Sequence, residues 1–351
     1  MAGLISMNSN VGSKKFCVTR VFMIRFIFTI TFIVGCSTAV YSASRGIDLR
    51  ADTDKPQLAS TYGDYHALII GNMTYADKNK LWQTLKTPLS GVTALKSLLK
   101  NTYQFSSINV VENGTRRDII LALSALNKKI KTNDNVLVYY AGHGYLDENS
   151  GLGYWIPTDA VGNDHTTYIR NSTIRDELSV ISRRAKHTLL ISDSCFSGSL
   201  LKSDSRGTTT INADQRFFQR VAQKKSVQII TAGGNEFVDD DYKDSGQSPF
   251  THFLINELKH NNAPQLSASE LAFQVRRAVS GNVDQTPQAG VLQGAGDELG
   301  EFIFVNKKVI DSTPSADEKI TDVKSIDDIK NKEQVIKREP NRRNRIPMPV
   351  I

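Results

Sequence analysis

Four stretches of the chain are apolar nearly without interruption: Tyr65–Gly71, Val136–Ala141, Thr188–Ser192 and Val227–Thr231. Their length and β-branched or aromatic content suit strands buried on both faces of a parallel sheet. Ile108–Val111 reads as a further short strand. Helical spacing fills the gaps. Leu89, Val92, Leu95, Leu98 and Leu99 form one stripe, and Ile119, Ile120, Leu123, Leu126 and Ile130 form another, opened by Thr115 as a cap. Ile174, Leu178 and Ile181 mark a third helix, and Phe250, Phe253, Leu254 and Leu258 a fourth. Ser267-x-x-Glu270 is a capping box ahead of Leu271, Val275 and Val279. Tyr154-Trp-Ile-Pro157 reads as an edge strand, because proline removes a ladder donor. Glu301–Val305 is expected to close the sheet. Strands alternating with helices imply a parallel-dominated α/β sheet covered on both faces.

The flanks differ in character. Lys14, Lys15, Arg20 and Arg25 precede an apolar stretch, Phe26–Val40, with no acid before Asp48. That stretch suits a signal h-region better than a spanning helix. Residues 1–44 are therefore expected to direct export. Ile33-Val34-Gly35-Cys36 resembles the bacterial lipobox, so Cys36 is a candidate lipidated membrane anchor; a cleaved secretory signal and an uncleaved anchor are the other forms. The expected location is the periplasm or a membrane-attached lipoprotein. Residues 45–62 read as a linker, and residues 307–351 as a charged, disordered tail. Residues 199–225 are polar and basic, a loop with a short helix around Phe217.

Charge follows the same division. Of the net +7, the first 50 residues carry +5 (six basic residues against one acid) and residues 307–351 carry +3 (eleven against eight). The stretch between them sums to −1. The basic balance belongs to the ends, and no basic stripe interleaved with aromatics marks a nucleic-acid partner.

The chemistry sits where two of the apolar runs stop. One ends in Tyr-Ala-Gly-His143-Gly, the other in Asp-Ser-Cys195-Phe-Ser-Gly, 52 residues later. Catalytic groups in parallel sheets sit just past the carboxyl ends of strands. A thiol and an imidazole at one edge make a nucleophile and a base. Cys17 and Cys36 fall in the signal region, which leaves Cys195 as the lone thiol of the mature body. The N–H groups of Gly144 and Cys195 are the candidate oxyanion donors. Gly-x-Ser-x-Gly and His-Glu-x-x-His are both absent, against a serine or metal hydrolase.

These motifs resemble the caspase-like cysteine peptidases, in particular the bacterial members close to metacaspases. The His-to-Cys spacing agrees with that pattern. Gly153-Tyr-Trp-Ile-Pro-Thr-Asp159, Ser248-Pro-Phe-Thr-His-Phe253 and Gln285-Thr-Pro287 extend the resemblance over residues 63–306. It implies a three-layer α/β/α sandwich around a mostly parallel six-stranded sheet. It also implies a Cys–His dyad endopeptidase acting on proteins or peptides. Asp193 takes the position that lines a pocket for Arg or Lys before the scissile bond, and residues 199–225 the position where such enzymes are nicked. Metacaspases supply a second acid after the first strand; here Leu89-Ser-Gly-Val92 has none. Calcium is required by many of them, and Asp239-Asp240-Asp241 offers oxygens, with no other cofactor expected. Two further functions remain open: a catalytically silent partner-binding module, and a peptidase of the same fold with Asn or Asp specificity. His66, His165, His187, His252 and His260 read as structural or exposed. Trp155 and Tyr154 read as packing residues.

Overall fold

The computed structural model describes residues 62–76, 81–195, 200–201, 215–234, 239–292 and 294–312. The export signal, Cys36, most of the 45–62 linker, and Lys202 and Arg206 lie outside them. So does the tail beyond Ser312.

The uninterrupted apolar runs form the centre of one sheet. Strands β1 (Tyr65–Gly71), β3 (Asn135–Ala141), β7 (His187–Asp193) and β8 (Ser226–Thr231) are buried at every position. β2 (Phe105–Glu112) lies outside β1, and β10 (Gln288–Val291) lies outside β8. The order is β10-β8-β7-β3-β1-β2, parallel throughout except for the antiparallel β10. This is the expected mostly parallel six-stranded sheet.

Strand alternation sends each run to two cores. Ala67, Ile69, Leu137, Tyr139, Leu189 and Ile191 face one side. There they meet α1 (Pro88–Thr102), α5 (Pro249–His260) and α6 (Ala268–Ser280). Leu68, Ile70, Val136, Val138, Leu190 and Ile229 face the other, against α2 (Arg116–Lys129) and α3 (Asn171–Ser182). The helices start where the sequence marks them. Thr115 and Asp118 close a reciprocal capping box on α2, Ser248 caps α5 with Pro249 behind it, and Ser267 caps α6.

Three expectations need correction. Glu301–Val305 does not close the sheet: β11 (Ile303–Val305) pairs antiparallel with β9 (Gln265–Ser267) in a separate ladder. The free edge of β8 is taken instead by β10, whose Gln-Ala-Gly-Val composition carries little strand signal. Phe302 and Phe304 pack their rings with Tyr65, Tyr103 and Phe105. The Tyr154–Pro157 segment is not an edge. β5 (Leu152–Trp155) is the middle of a three-stranded sheet between β4 (Gly144–Asp147) and β6 (Ile169–Arg170), and Pro157 falls beyond the ladder. Trp155 stacks flat on Tyr140, with 4.0 Å between ring centroids, as a packing residue should. Finally, the chain past 306 begins in order: α7 (Lys307–Ser312) is helical, its first N–H groups bonded to Asn306 Oδ1. Tyr62, at the end of the linker, is buried and accepts a hydrogen bond from Gln265 Nε2. The short helix expected around Phe217 is present as α4 (Gln215–Ala222).

Candidate active site

β3 and β7 run in register, with Ala141 opposite Asp193. The Gly142 N–H donates to the Asp193 carbonyl at 3.3 Å, so the two strands part at the same level. His143 is two residues past Ala141, and Cys195 is two residues past Asp193. The ladder therefore delivers imidazole and thiol to one edge of the sheet. Gly144 shows how close the two strand ends come. A Cβ there would collide with the carbonyl oxygen of Cys195 and lie 3.3 Å from its nitrogen. Only glycine lets the backbone after the histidine pass the peptide of the cysteine. That passage sets the Gly144 backbone against the Cys195 peptide.

His143 is gripped from several sides. Its N–H donates to Tyr75 Oη at 3.0 Å, and Tyr75 in turn donates to the Asn72 carbonyl. Tyr140 Oη donates to the His143 carbonyl at 2.8 Å. The ring lies 4.8 Å from Tyr75 and 5.6 Å from Trp82, centroid to centroid. Nε2 sits 2.8 Å from the Gln83 carbonyl oxygen. A carbonyl only accepts, so Nε2 carries the proton, and the neutral ring keeps its lone pair on Nδ1. Burial pushes the His143 pKa below the ordinary imidazole value, while the Gln83 carbonyl and the Asp240 charge oppose that shift. The ring is thereby held neutral at pH 7, as a base requires.

A cleft open to solvent runs from His143 and Cys195 to Asp193. Asp193 is almost fully buried at its base. Its Oδ2 accepts from Ser248 Oγ at 2.5 Å and from Thr251 Oγ1 at 2.6 Å. Thr251 spends its proton on Asp193, so Tyr139 must donate to Thr251 Oγ1 across 2.6 Å. Burial lifts the Asp193 pKa to about 6; the two hydroxyls pull it down and the Asp240 charge pushes it up.

Asp240, from the loop after β8, lines the same cleft. The three-acid turn does not gather as a calcium cluster. Asp240 bonds Lys86 and Thr87 N–H groups, while Asp241 Oδ1 accepts from the Gly246 N–H. Among the described residues, the one trio of clustered ligand atoms is Asp64, His66 and Asp134. It lies at the amino ends of β1 and β3, away from the cleft. There Asp134 Oδ2 already meets His66 Nε2 at 2.9 Å and the Lys131 N–H at 2.8 Å. The remaining histidines stay out of the cleft; His187, bonded to Ser226 and Ala222, is pushed down to about 4 by burial.

Sequence reasoning named His143, Gly144, Asp193 and Cys195 and offered Asp240 only as a calcium oxygen; it missed Tyr75, Trp82 and Gln83. A backbone carbonyl leaves no residue-type signal, and Asp240 was hidden in an ordinary acidic turn. Ser248 and Thr251 were visible only within the Ser-Pro-Phe-Thr motif.

A family model described as the caspase domain matches residues 64–293. The chain belongs to that family. Among solved structures, it is similar to caspase-1 from Spodoptera frugiperda. The identity is 14%, 65% of this chain and 86% of that chain are covered, and the TM-score is 0.46. It is also similar to a protein from Geobacter sulfurreducens, at 16% identity over 68% of this chain and 100% of that chain, with a TM-score of 0.45. No curated protein sequence matches it. The caspase domain identifies a member of a cysteine peptidase family. Its last matched residue falls just past β10, so β11 and α7 lie outside the matched range.

Proposed function

We propose that this caspase-domain protein is a cysteine endopeptidase that cleaves after Arg or Lys. The observation that carries the reading is the shared ending of β3 and β7, with Gly144 packed on the Cys195 peptide. The Cys195 thiol passes its proton to His143, and the thiolate attacks the scissile carbonyl carbon. A C–S bond forms as the carbonyl π pair moves onto oxygen, where the Gly144 and Cys195 N–H groups receive it. His143 then protonates the amine nitrogen as the C–N bond breaks, leaving a thioester. Water, giving its proton to His143, releases the acid and restores the thiol.

The cleft argues for a cationic side chain ahead of the scissile bond. Three acids, Asp193, Asp239 and Asp240, line it together with Ser248. Like charges so placed disfavour an Asp substrate. A guanidinium can engage a carboxylate bidentately, which favours Arg over Lys. We further propose that the protein is exported through residues 1–44 and that it cleaves itself within residues 199–225. The test of specificity is a P1 peptide library run on the purified protein with and without calcium. Cleavage dominated by Arg and Lys is expected. A profile dominated by Asp or Asn contradicts the reading.

A further inference from the structure

Asp240 does more than wall the cleft. Its carboxylate reaches the residues that open α1. Oδ2 accepts from the Lys86 N–H at 2.5 Å, and Oδ1 accepts from the Thr87 N–H at 3.3 Å and the Thr87 hydroxyl at 2.9 Å. The same hydroxyl lies 2.5 Å from the Asp240 carbonyl oxygen. Thr87 stands at the N-cap position but makes no side-chain cap bond to its own helix. Asp240 instead accepts from the N–H of Thr87 itself, from 153 positions away. A carboxylate in that place also suits the positive end of the helix.

Gln83 lies three residues before Lys86, and its carbonyl accepts the hydrogen bond from His143 Nε2–H. The direction of a carbonyl is set by the backbone on either side of it. That backbone is tethered by the Leu85 N–H, which donates to the Met73 carbonyl at 2.9 Å, and by the Asp240 bonds to Lys86 and Thr87.

We propose that Asp240 is a positioning residue for the catalytic base: by pinning Lys86 and Thr87 it aims the Gln83 carbonyl at His143 and so keeps the imidazole turned for Cys195. The inference rests on the Cys195–His143 dyad. Its consequence is that the loop walling the cleft beside Asp193 and the strap orienting the base are one unit, joined through Asp240.

Alkylation of Cys195 by iodoacetamide, read peptide by peptide in the mass spectrometer on the full chain, reports thiol activation without any substrate. Asp240→Ala is expected to slow it about tenfold or more, the scale of effect that small misplacements have. Asp240→Asn keeps one oxygen for the Lys86 N–H and can donate to the Thr87 hydroxyl, so it should recover most of the rate. If Asp240→Ala fails to fold, Thr87→Val, which removes only the hydroxyl bonds, should slow alkylation about threefold. Wild-type rates in Asp240→Ala or, where that variant does not fold, in Thr87→Val overturn the proposal, as does an Asn variant as slow as the Ala variant. A wild-type Cys195 no more reactive than free cysteine overturns the dyad reading itself, and this inference with it.

Discussion

At the scale of single residues, Asp193 links burial to specificity. Its carboxyl has a raised pKa, so between about 4 and 6 the folded chain holds a proton that the unfolded chain has released. Its contribution therefore favours the fold at low pH and is lost as pH rises through about 6. A P1 guanidinium reverses the preference, because it favours the ionised form. For a P1-Arg peptide, kcat/KM should climb as pH rises through about 6. Binding of an Arg substrate near pH 5.5 should release a proton, measurable as a buffer-dependent heat in calorimetry. Asp193→Asn should lower kcat/KM for Arg by about two decades, the cost of leaving a buried charge unpaired. A P1-neutral peptide should change far less. Unchanged Arg preference in that variant would remove Asp193 from the pocket. Four of the residues in this site were legible because their chemistry or shape is tied to residue type: a thiol, an imidazole, an acid two positions before the thiol, and a glycine. The Gln83 carbonyl and the Asp240 carboxylate were not. What matters in them is where the backbone goes, and that is decided by contacts between segments 153 and 154 positions apart.

At the scale of elements, legibility follows burial. β1, β3, β7 and β8 are buried on both faces, so their residues are apolar throughout and the strands announce themselves. β10 is an edge strand of mixed burial, and its sequence is correspondingly bland. β11 has strong strand character, yet it serves a small ladder, because strand propensity says nothing of the partner. Helix starts were readable since capping demands particular side chains. The Thr115 hydroxyl accepts the Asp118 N–H, and the Asp118 carboxylate accepts the Thr115 N–H. Thr115→Ala should cost about 1 kcal/mol in urea unfolding with an unchanged slope. A variant as stable as the parent would show that α2 is held by packing on Ile119, Leu123 and Leu126 alone.

At the scale of the whole molecule, the caspase domain is flanked in sequence by residues 1–62 and by a charged C-terminal segment. The N-terminal 44 residues should place the protein outside the cytoplasm. Metabolic lipid labelling that vanishes in Cys36→Ser would mark the lipoprotein form, and a full-length cytosolic protein would exclude export. Within residues 199–225, Arg216 and Arg220 lie on α4, and a protease needs an extended chain. Self-cleavage is therefore expected at another basic residue of the segment, Lys202, Arg206, Lys224 or Lys225, read by N-terminal sequencing after long incubation. An intact chain in an active preparation would exclude it. All of this depends on one claim, that the ends of β3 and β7 hold a catalytic dyad. The most direct test is kcat/KM on a P1-Arg peptide for the wild type, Cys195→Ala and His143→Ala, with circular dichroism to confirm the fold. The account predicts a fall of several orders of magnitude in each variant, since the members of a dyad act as a unit. Wild-type kcat/KM in either variant would contradict it.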